Sequence, residues 1–212
     1  MHFITSMKNR LSINTIIERI NAFGPDMGGV LSFADLWNLL GLKSSDRVAK
    51  VVDRLMREKV LFKIQRNVYA TKNPDLWILA SRLKKGSYIS MDSVLAKNAL
   101  IGTIPTYTVS SVYAGAGRKT VETPFGSLRY FSIKKDLIFG ISRLKNGVEV
   151  ADSEKAYLDL LYFYMKGARY VIDPQRDVSL WKLDLKKLKK YLKAYKNPKF
   201  VSFVEGLIRE IA

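Results

Sequence analysis

Ser44-Ser45-Asp46-Arg47-Val48-Ala49-Lys50-Val51-Val52-Asp53-Arg54-Leu55-Met56-Arg57-Glu58-Lys59-Val60-Leu61-Phe62-Lys63-Ile64-Gln65-Arg66-Asn67-Val68-Tyr69-Ala70 is the stretch whose reading decides the fold. Ser44-Ser45-Asp46 offers N-cap side chains for a helix running to about Lys59. Drawn at about 100° per residue, Val48, Val51, Val52, Leu55 and Met56 fall in one arc of about 140°. Arg47, Lys50, Arg54 and Arg57 fall in a separate arc of about 80°, on a line about 15 Å long by helix rise. After the helix comes Val60-Leu61-Phe62-Lys63-Ile64, a turn at Gln65-Arg66-Asn67, and then Val68-Tyr69-Ala70. Two short β-rich runs around a polar turn predict a β-hairpin.

Upstream, Ile13, Ile16, Ile17 and Ile20 recur at helical spacing, and Gly24-Pro25 ends that helix. Gly28-Gly29 reads as a loop, and Ser32 caps a second helix, Phe33–Leu40, stopped by Gly41. Three short helices, a hairpin and a basic stripe on the third helix describe a winged helix-turn-helix. A helix of this kind fits the major groove, where Arg and Lys reach guanine edges and phosphates. In that reading Ser45, Arg47, Lys50 and Arg54 face base edges, and Arg57, Lys63 and Arg66 take phosphates. Gln65 sits with Lys63 and Arg66 at the hairpin tip. A basic helix face is also an ordinary solvated surface, and winged helices serve as docking modules, so the protein-docking reading stays open here.

Thr71-Lys72-Asn73-Pro74-Asp75 is a polar break between a strand-like run and a new apolar run. It places a domain boundary between residues 1–72 and 73–212. Beyond it, Asp75–Leu83 reads as a helix, Gly86–Ser90 as a turn and strand, and Met91–Asn98 as a helix capped by Ser90. Strand-like stretches follow at 106–113, 119–121, 126–133, 137–142 and 148–150. Asp152 or Ser153 caps a strong helix with Ala156, Leu160 and Phe163 on one face. Two amphipathic helices, about Asp184–Tyr195 and Pro198–Ile211, close the chain; Leu185, Leu188, Leu192 and Tyr195 form a seam on the first. The expected class is α+β: an α+β core at 73–181 with a small antiparallel sheet, then a Lys-rich helical tail at 182–212.

With 212 residues and 48 % apolar composition, the chain can bury a substantial core, which argues against intrinsic disorder. The 36 Lys and Arg against 19 Asp and Glu give +17, an excess that suits an anionic partner, nucleic acid first. Residues 1–75 hold 12 basic and 7 acidic side chains (+5), whereas the last 31 hold 9 and 3 (+6), so the tail is the densest. No cysteine leaves no disulfide scaffold and no thiolate chemistry, and the lone histidine, His2, leaves no zinc site and no Ser-His-Asp triad. No run approaches the ~20 apolar residues of a membrane span, and Met1–Arg10 does not read as a signal peptide, so a cytoplasmic protein is expected.

Several motifs fail on inspection. Gly115-Ala116-Gly117-Arg118-Lys119-Thr120 lacks the glycine spacing of a phosphate-binding P-loop. Asp152 and Glu154 lie at a helix start, where a cap and dipole partner is simpler than a metal or acid–base pair. Asp173-Pro174 with Asp177 reads as a turn. The tail lysines read as a solvated face rather than a membrane surface. No catalytic residue, metal ligand or cofactor is expected. Arg118 and Lys119 on the glycine loop, with Lys186, Lys187, Lys190 and Lys193, are candidates for a second basic surface.

The order of short motifs resembles the AbiEi-type antitoxin and transcriptional regulator family of type IV toxin–antitoxin systems, over almost the whole chain. After the hairpin segment Phe62–Tyr69 come Tyr88-Ile89-Ser90 with its short helix through Leu100-Ile101, then Ile104-Pro105-Thr106-Tyr107-Thr108-Val109. Phe125, Gly126, Leu128 and Tyr130 follow, then Phe139-Gly140. The most specific piece is Ala151-Asp152-Ser153-Glu154-Lys155-Ala156, continuing into Leu158-Asp159-Leu160-Leu161. The resemblance implies a two-domain, non-enzymatic protein that represses its own operon and counteracts a nucleotidyltransferase-like toxin without a tight complex. For such a repressor an inverted-repeat operator would fit two copies bound side by side, from a monomer or weak dimer in solution. The chain does not read as the toxin, because Gly86-Ser87 is followed only by the lone Asp92. Three readings are thus in play: a repressor–antitoxin, a protein- or RNA-interaction module that uses the winged helix for docking, and an enzyme acting through Asp152, Glu154 and Asp159.

Overall fold

The computed structural model describes residues 12–102 and 107–210. His2, the Met1–Arg10 segment, Ile104-Pro105 and Ile211 lie outside the described residues. The chain divides into two compact units, Met1–Asp75 and Leu76–Ala212.

In the first unit, α1 (Ile13–Phe23), α2 (Phe33–Leu40) and α3 (Ser45–Arg57) are followed by β2 (Phe62–Gln65) and β3 (Val68–Ala70). Local chemistry sets the helix starts. The Ser12 hydroxyl accepts from the Thr15 N–H, and Ser32 and Asp35 form a reciprocal capping box. Gly41 closes α2 with its N–H on the Trp37 carbonyl. The hairpin turns at Arg66-Asn67, so Gln65 belongs to the strand rather than to the turn. A two-residue strand, β1 (Val30–Leu31), pairs antiparallel with β3, giving the order β1-β3-β2. Ile16, Ile20, Leu31, Leu36, Leu40, Val48, Val52, Leu55, Leu61 and Tyr69 make one core. Each helix therefore commits one face to it.

The second unit contains α4 (Leu76–Leu83), β4 (Ser87–Ile89), α5 (Met91–Lys97), β5 (Thr108–Ala114), β6 (Arg118–Thr123) and β7 (Gly126–Ile133). Then come β8 (Ile141–Arg143), β9 (Glu149–Ala151), α6 (Ser153–Met165), α7 (Leu185–Leu192) and α8 (Pro198–Arg209). Its sheet is neither small nor wholly antiparallel. It has six strands in the order β6-β7-β5-β4-β9-β8, with β5–β7 and β4–β9 parallel. The reason lies in side-chain character. β7 buries Leu128, Tyr130, Phe131 and Ile133 and needs cover on both sides. β6 reads Arg-Lys-Thr-Val-Glu-Thr and suits an edge, where charge discourages pairing with other chains. The β6–β7 hairpin therefore docks with β7 inward against β5, and the sheet becomes mixed.

Two further expectations are corrected. Residues 137–142 are not one strand: Lys135–Leu137 is a 3-10 turn that buries Leu137, and β8 begins at Ile141. α6 is not one-faced, because every side chain from Glu154 to Phe163 is buried. It contacts α5, β9, α7 and α8, so it has no solvated side to offer. The tail helices belong to this same unit, held by the aromatic cluster of Tyr162, Tyr195 and Phe200, with ring centroids 4.7 to 5.7 Å apart.

Candidate nucleic-acid interface

α3 buries Val48, Val52 and Leu55 and leaves Arg47, Lys50, Arg54 and Arg57 exposed. Ser45 at its first turn, Lys63 and Gln65 on β2, and Arg66 in the hairpin turn are exposed as well. All eight residues singled out from the sequence thus reach solvent. Their charge is not undiluted. The Arg54 Nε donates to Glu58 Oε1 at 3.0 Å, one turn on, and both side chains are about half exposed. Asp46 and Asp53 flank the stripe on its other side, and Asp53 faces β3. There, burial and then the Asp53 charge raise the Tyr69 pKa. Counted from Ser45 to Glu58, four cations meet three carboxylates, for a net charge of +1. The stripe is a narrow ridge of cations between acidic borders.

The second candidate surface is partly used up inside the fold. Lys187 is half-buried, with its Nζ 3.1 Å from Asp152 Oδ2 and 2.9 Å from Glu154 Oε2. Burial opposes its charge, but hydrogen bonds to Glu154 and Asp152 outweigh this and raise its pKa. Lys187 is thus a strut between α6 and α7 and not a free cation. Lys119, Lys186, Lys190 and Lys193 are exposed. Arg118 is exposed but tethered: it donates to the Lys166 carbonyl at 2.9 Å and stacks on Phe131 and Phe163.

The acidic candidates are structural as well. Asp152 caps α6 by accepting from the Lys155 N–H, and its other oxygen accepts from the Tyr191 hydroxyl at 2.8 Å. Glu154 accepts the Asp184 N–H at 3.0 Å, which ties down the start of α7. Asp173 and Asp177 close a turn on their own backbone. Among the described residues no group of three His, Cys, Asp or Glu side chains is placed to hold a metal ion. Among the same residues no helix is long and apolar enough to cross a membrane.

Sequence reading missed a polar centre sealed inside the second unit. Lys155 and Asp159, one turn apart on α6, are wholly buried with Nζ and Oδ1 2.5 Å apart. The Tyr88 and Ser90 hydroxyls both donate to the other Asp159 oxygen, at 3.0 and 2.8 Å. The Ser90 side chain is therefore not the cap expected for α5. Lys155 also donates to the Tyr195 hydroxyl at 3.2 Å and lies 4.7 Å from the Phe139 ring centre. Burial raises the Asp159 pKa, and the Lys155 charge and the three hydrogen bonds hold that rise in check. Burial, with the Asp159 charge behind it, also raises both tyrosines. The i,i+4 Lys–Asp spacing was visible in the sequence, but such pairs are ordinarily solvated. Sealed from solvent, these groups organise the fold: Tyr88 on β4 and Ser90 hold the Asp159 carboxylate directly, and Tyr195, beyond the end of α7, joins through Lys155.

No family model and no curated protein matches the chain. Among solved structures it is similar to the crystal structure of RV2827C protein from Mycobacterium tuberculosis, with a TM-score of 0.57 and 13 % identity. The match covers 88 % of this chain and 73 % of that one. At this identity the likeness is one of fold.

Proposed function

We propose that the chain is a DNA-binding transcriptional repressor whose N-terminal unit works as a winged helix-turn-helix, and whose C-terminal unit is an AbiEi-like antitoxin domain. The carrying observation is the division of α3: Val48, Val52 and Leu55 are committed to the core, and Arg47, Lys50 and Arg57 are left in solvent at one ridge. The ridge is narrow enough for the major groove, and the acidic borders turn away ligands that would approach from the side. The β2–β3 tip, with Lys63, Gln65 and Arg66, is the wing that touches the flanking backbone. In this reading the protein is cytoplasmic and not an enzyme, and it binds an inverted repeat in its own upstream region as two copies. It counteracts a nucleotidyltransferase-like toxin without holding it in a tight complex.

The test is a fluorescence-anisotropy titration of the full chain on its own upstream region against a scrambled duplex, at two salt concentrations. A preference of a hundredfold or more is expected. With about six phosphates neutralised, log K falls against log salt at a slope near −5. Arg47→Ala with Lys50→Ala lowers operator affinity by about ten- to a hundredfold. Equal binding to both duplexes, or an unchanged affinity in the double variant, refutes the proposal and leaves the docking-module reading.

A further inference from the structure

The second unit carries a small cationic pocket that the DNA reading does not use. It lies between β6, β7 and the loop after α6, with a volume of about 160 Å³, and Arg118, Lys119, Arg129 and Arg169 line it. Among the described residues no carboxylate lines it. Two of the guanidiniums are fixed in advance. Arg118 donates to the Lys166 carbonyl at 2.9 Å and lies 5.6 Å from the Phe131 ring centre. Arg129 donates to the Arg169 carbonyl at 3.1 Å and lies 5.2 Å from the same ring and 5.5 Å from Tyr170. Phe131 is thus clasped by an arginine on either side, one from each strand of the hairpin. Each tether occupies one terminal nitrogen of a five-donor fork, so donors remain for an outside acceptor. Backbone groups offer little help, because the Gly167 and Ala168 N–H groups are already bonded to Tyr164 and Phe163. Asp92, buried beneath, faces Arg129; burial raises its pKa, opposed by the Ser110 hydrogen bond and the Arg129 charge.

Such an arrangement has a cost unless an anion uses it: two half-immobilised guanidiniums on one face of the β6–β7 hairpin meet Arg169 at one small concavity, and the Lys119 side chain alternates to the other face. Size is compatible with a small anion. At about 30 Å³ per water, 160 Å³ holds some five waters. That is room for a tetrahedral oxyanion with part of its hydration. Planar guanidinium forks match phosphate oxygens in pairs. We propose that this pocket binds a phosphate group, either free or at the end of a nucleotide strand that runs out over the exposed Arg169. The proposal does not rest on the DNA reading and stands if the N-terminal unit binds no operator.

Calorimetric titration of the full-length protein with inorganic phosphate, at constant ionic strength set by chloride, tests it. Saturable binding to one site per chain is expected. Arg129→Lys keeps the charge and loses the fork, and should weaken phosphate at least tenfold. Arg169→Ala, at an exposed position, does the same with the fold intact by circular dichroism, which covers the case that Arg129 variants loosen the loop. Lys190→Ala with Lys193→Ala removes two charges at the C-terminal end of α7 and should leave phosphate binding unchanged. A hexanucleotide with a 5′-phosphate is then compared with its 5′-hydroxyl form. Tenfold tighter, Arg169-dependent binding of the phosphorylated strand makes a strand terminus the ligand, whereas equal binding makes it free phosphate. Absence of saturation, or an equal loss in the α7 double variant, overturns the proposal.

Discussion

Replacing Lys155 by Met tests whether the sealed polar centre holds the second unit together. Lys155 and Asp159 are both inaccessible, and Asp159 accepts from Lys155, Tyr88 and Ser90. Removing the cation leaves a buried carboxylate with two neutral donors, a change worth about 3–5 kcal/mol of destabilisation. For a unit of this size that lowers the midpoint by roughly 10–20 °C. Trp37 belongs to the N-terminal unit and Trp77 and Trp181 to the other, so in a Trp37→Phe background tryptophan fluorescence follows the C-terminal unit alone. The sign with pH is fixed. The Asp159 pKa is already raised by burial against the opposing Lys155 charge, and without Lys155 it rises further. A carboxyl raised in the folded state stabilises fully below its unfolded value of about 3.9 and loses that contribution as pH climbs through the folded value. The Lys155→Met penalty is therefore smaller at pH 5 than at pH 8. Adding Asp159→Asn removes the stranded charge, keeps an acceptor for Tyr88 and Ser90, and should recover most of the loss. Urea unfolding at both pH values measures all of this. A single-variant penalty under about 1 kcal/mol, or a double variant no better than the single, refutes the reasoning.

Three other outcomes are expected. Glu58→Gln releases Arg54 from its partner and should raise affinity for any duplex about two- to fivefold, with a salt slope steeper by about one; an unchanged slope in the anisotropy titration would place Arg54 away from DNA. Gly126→Ala should cost about 3 kcal/mol or more in urea unfolding, since Gly126 has φ +146° and an added Cβ would lie 2.4 Å from the Tyr107 carbonyl oxygen. Lys187→Met should cost about 1 kcal/mol, discounted because the side chain is a third exposed. Because the Lys187 pKa is raised, that contribution is full below about pH 10.4 and is lost only above it, so the penalty should be flat from pH 6 to 9.

What could be read from the chain depended on how local each determinant is. The three N-terminal helices declared themselves through isoleucine spacing for α1, the Ser32 cap and Gly41 for α2, and the apolar arc from Val48 to Met56 for α3, all of which act within a few turns. β1 did not, because two residues carry no periodicity and Val30-Leu31 becomes a strand only by pairing with β3. The mixed sheet was hidden because adjacent strands in sequence usually pair, and β7 displaces β6 from β5 by long-range burial. Its one local sign was the contrast between the apolar β7 and the charged β6. The exposure of Ser45, Arg47, Lys50, Arg54 and Arg57 follows from helical phase and that of Lys63, Gln65 and Arg66 from the hairpin pattern, whereas the Arg54–Glu58 pair that tempers the ridge follows from the same helical phase. Lys155 and Asp159 look like any solvated i,i+4 pair until Tyr88, Ser90 and Tyr195 enclose them.

The charge of +17 then separates into two populations with different work. Lys155 and Lys187 are bound to carboxylates inside the second unit, and Arg118 and Arg129 are anchored on carbonyls and rings. Neutralising the first two would damage the fold before it touched any partner. Arg47, Lys50, Arg57, Arg66, Lys119, Arg169, Lys186, Lys190 and Lys193 are exposed. Exposed cations that meet a polyanion are the ones that release counterions, so the salt slope counts those contacts and not the net charge. A titration that gave a slope far steeper than about −5 would therefore mean that cations of the second unit join those of α3 on the same nucleic acid, and the Lys190 and Lys193 double variant would reduce that slope by about two.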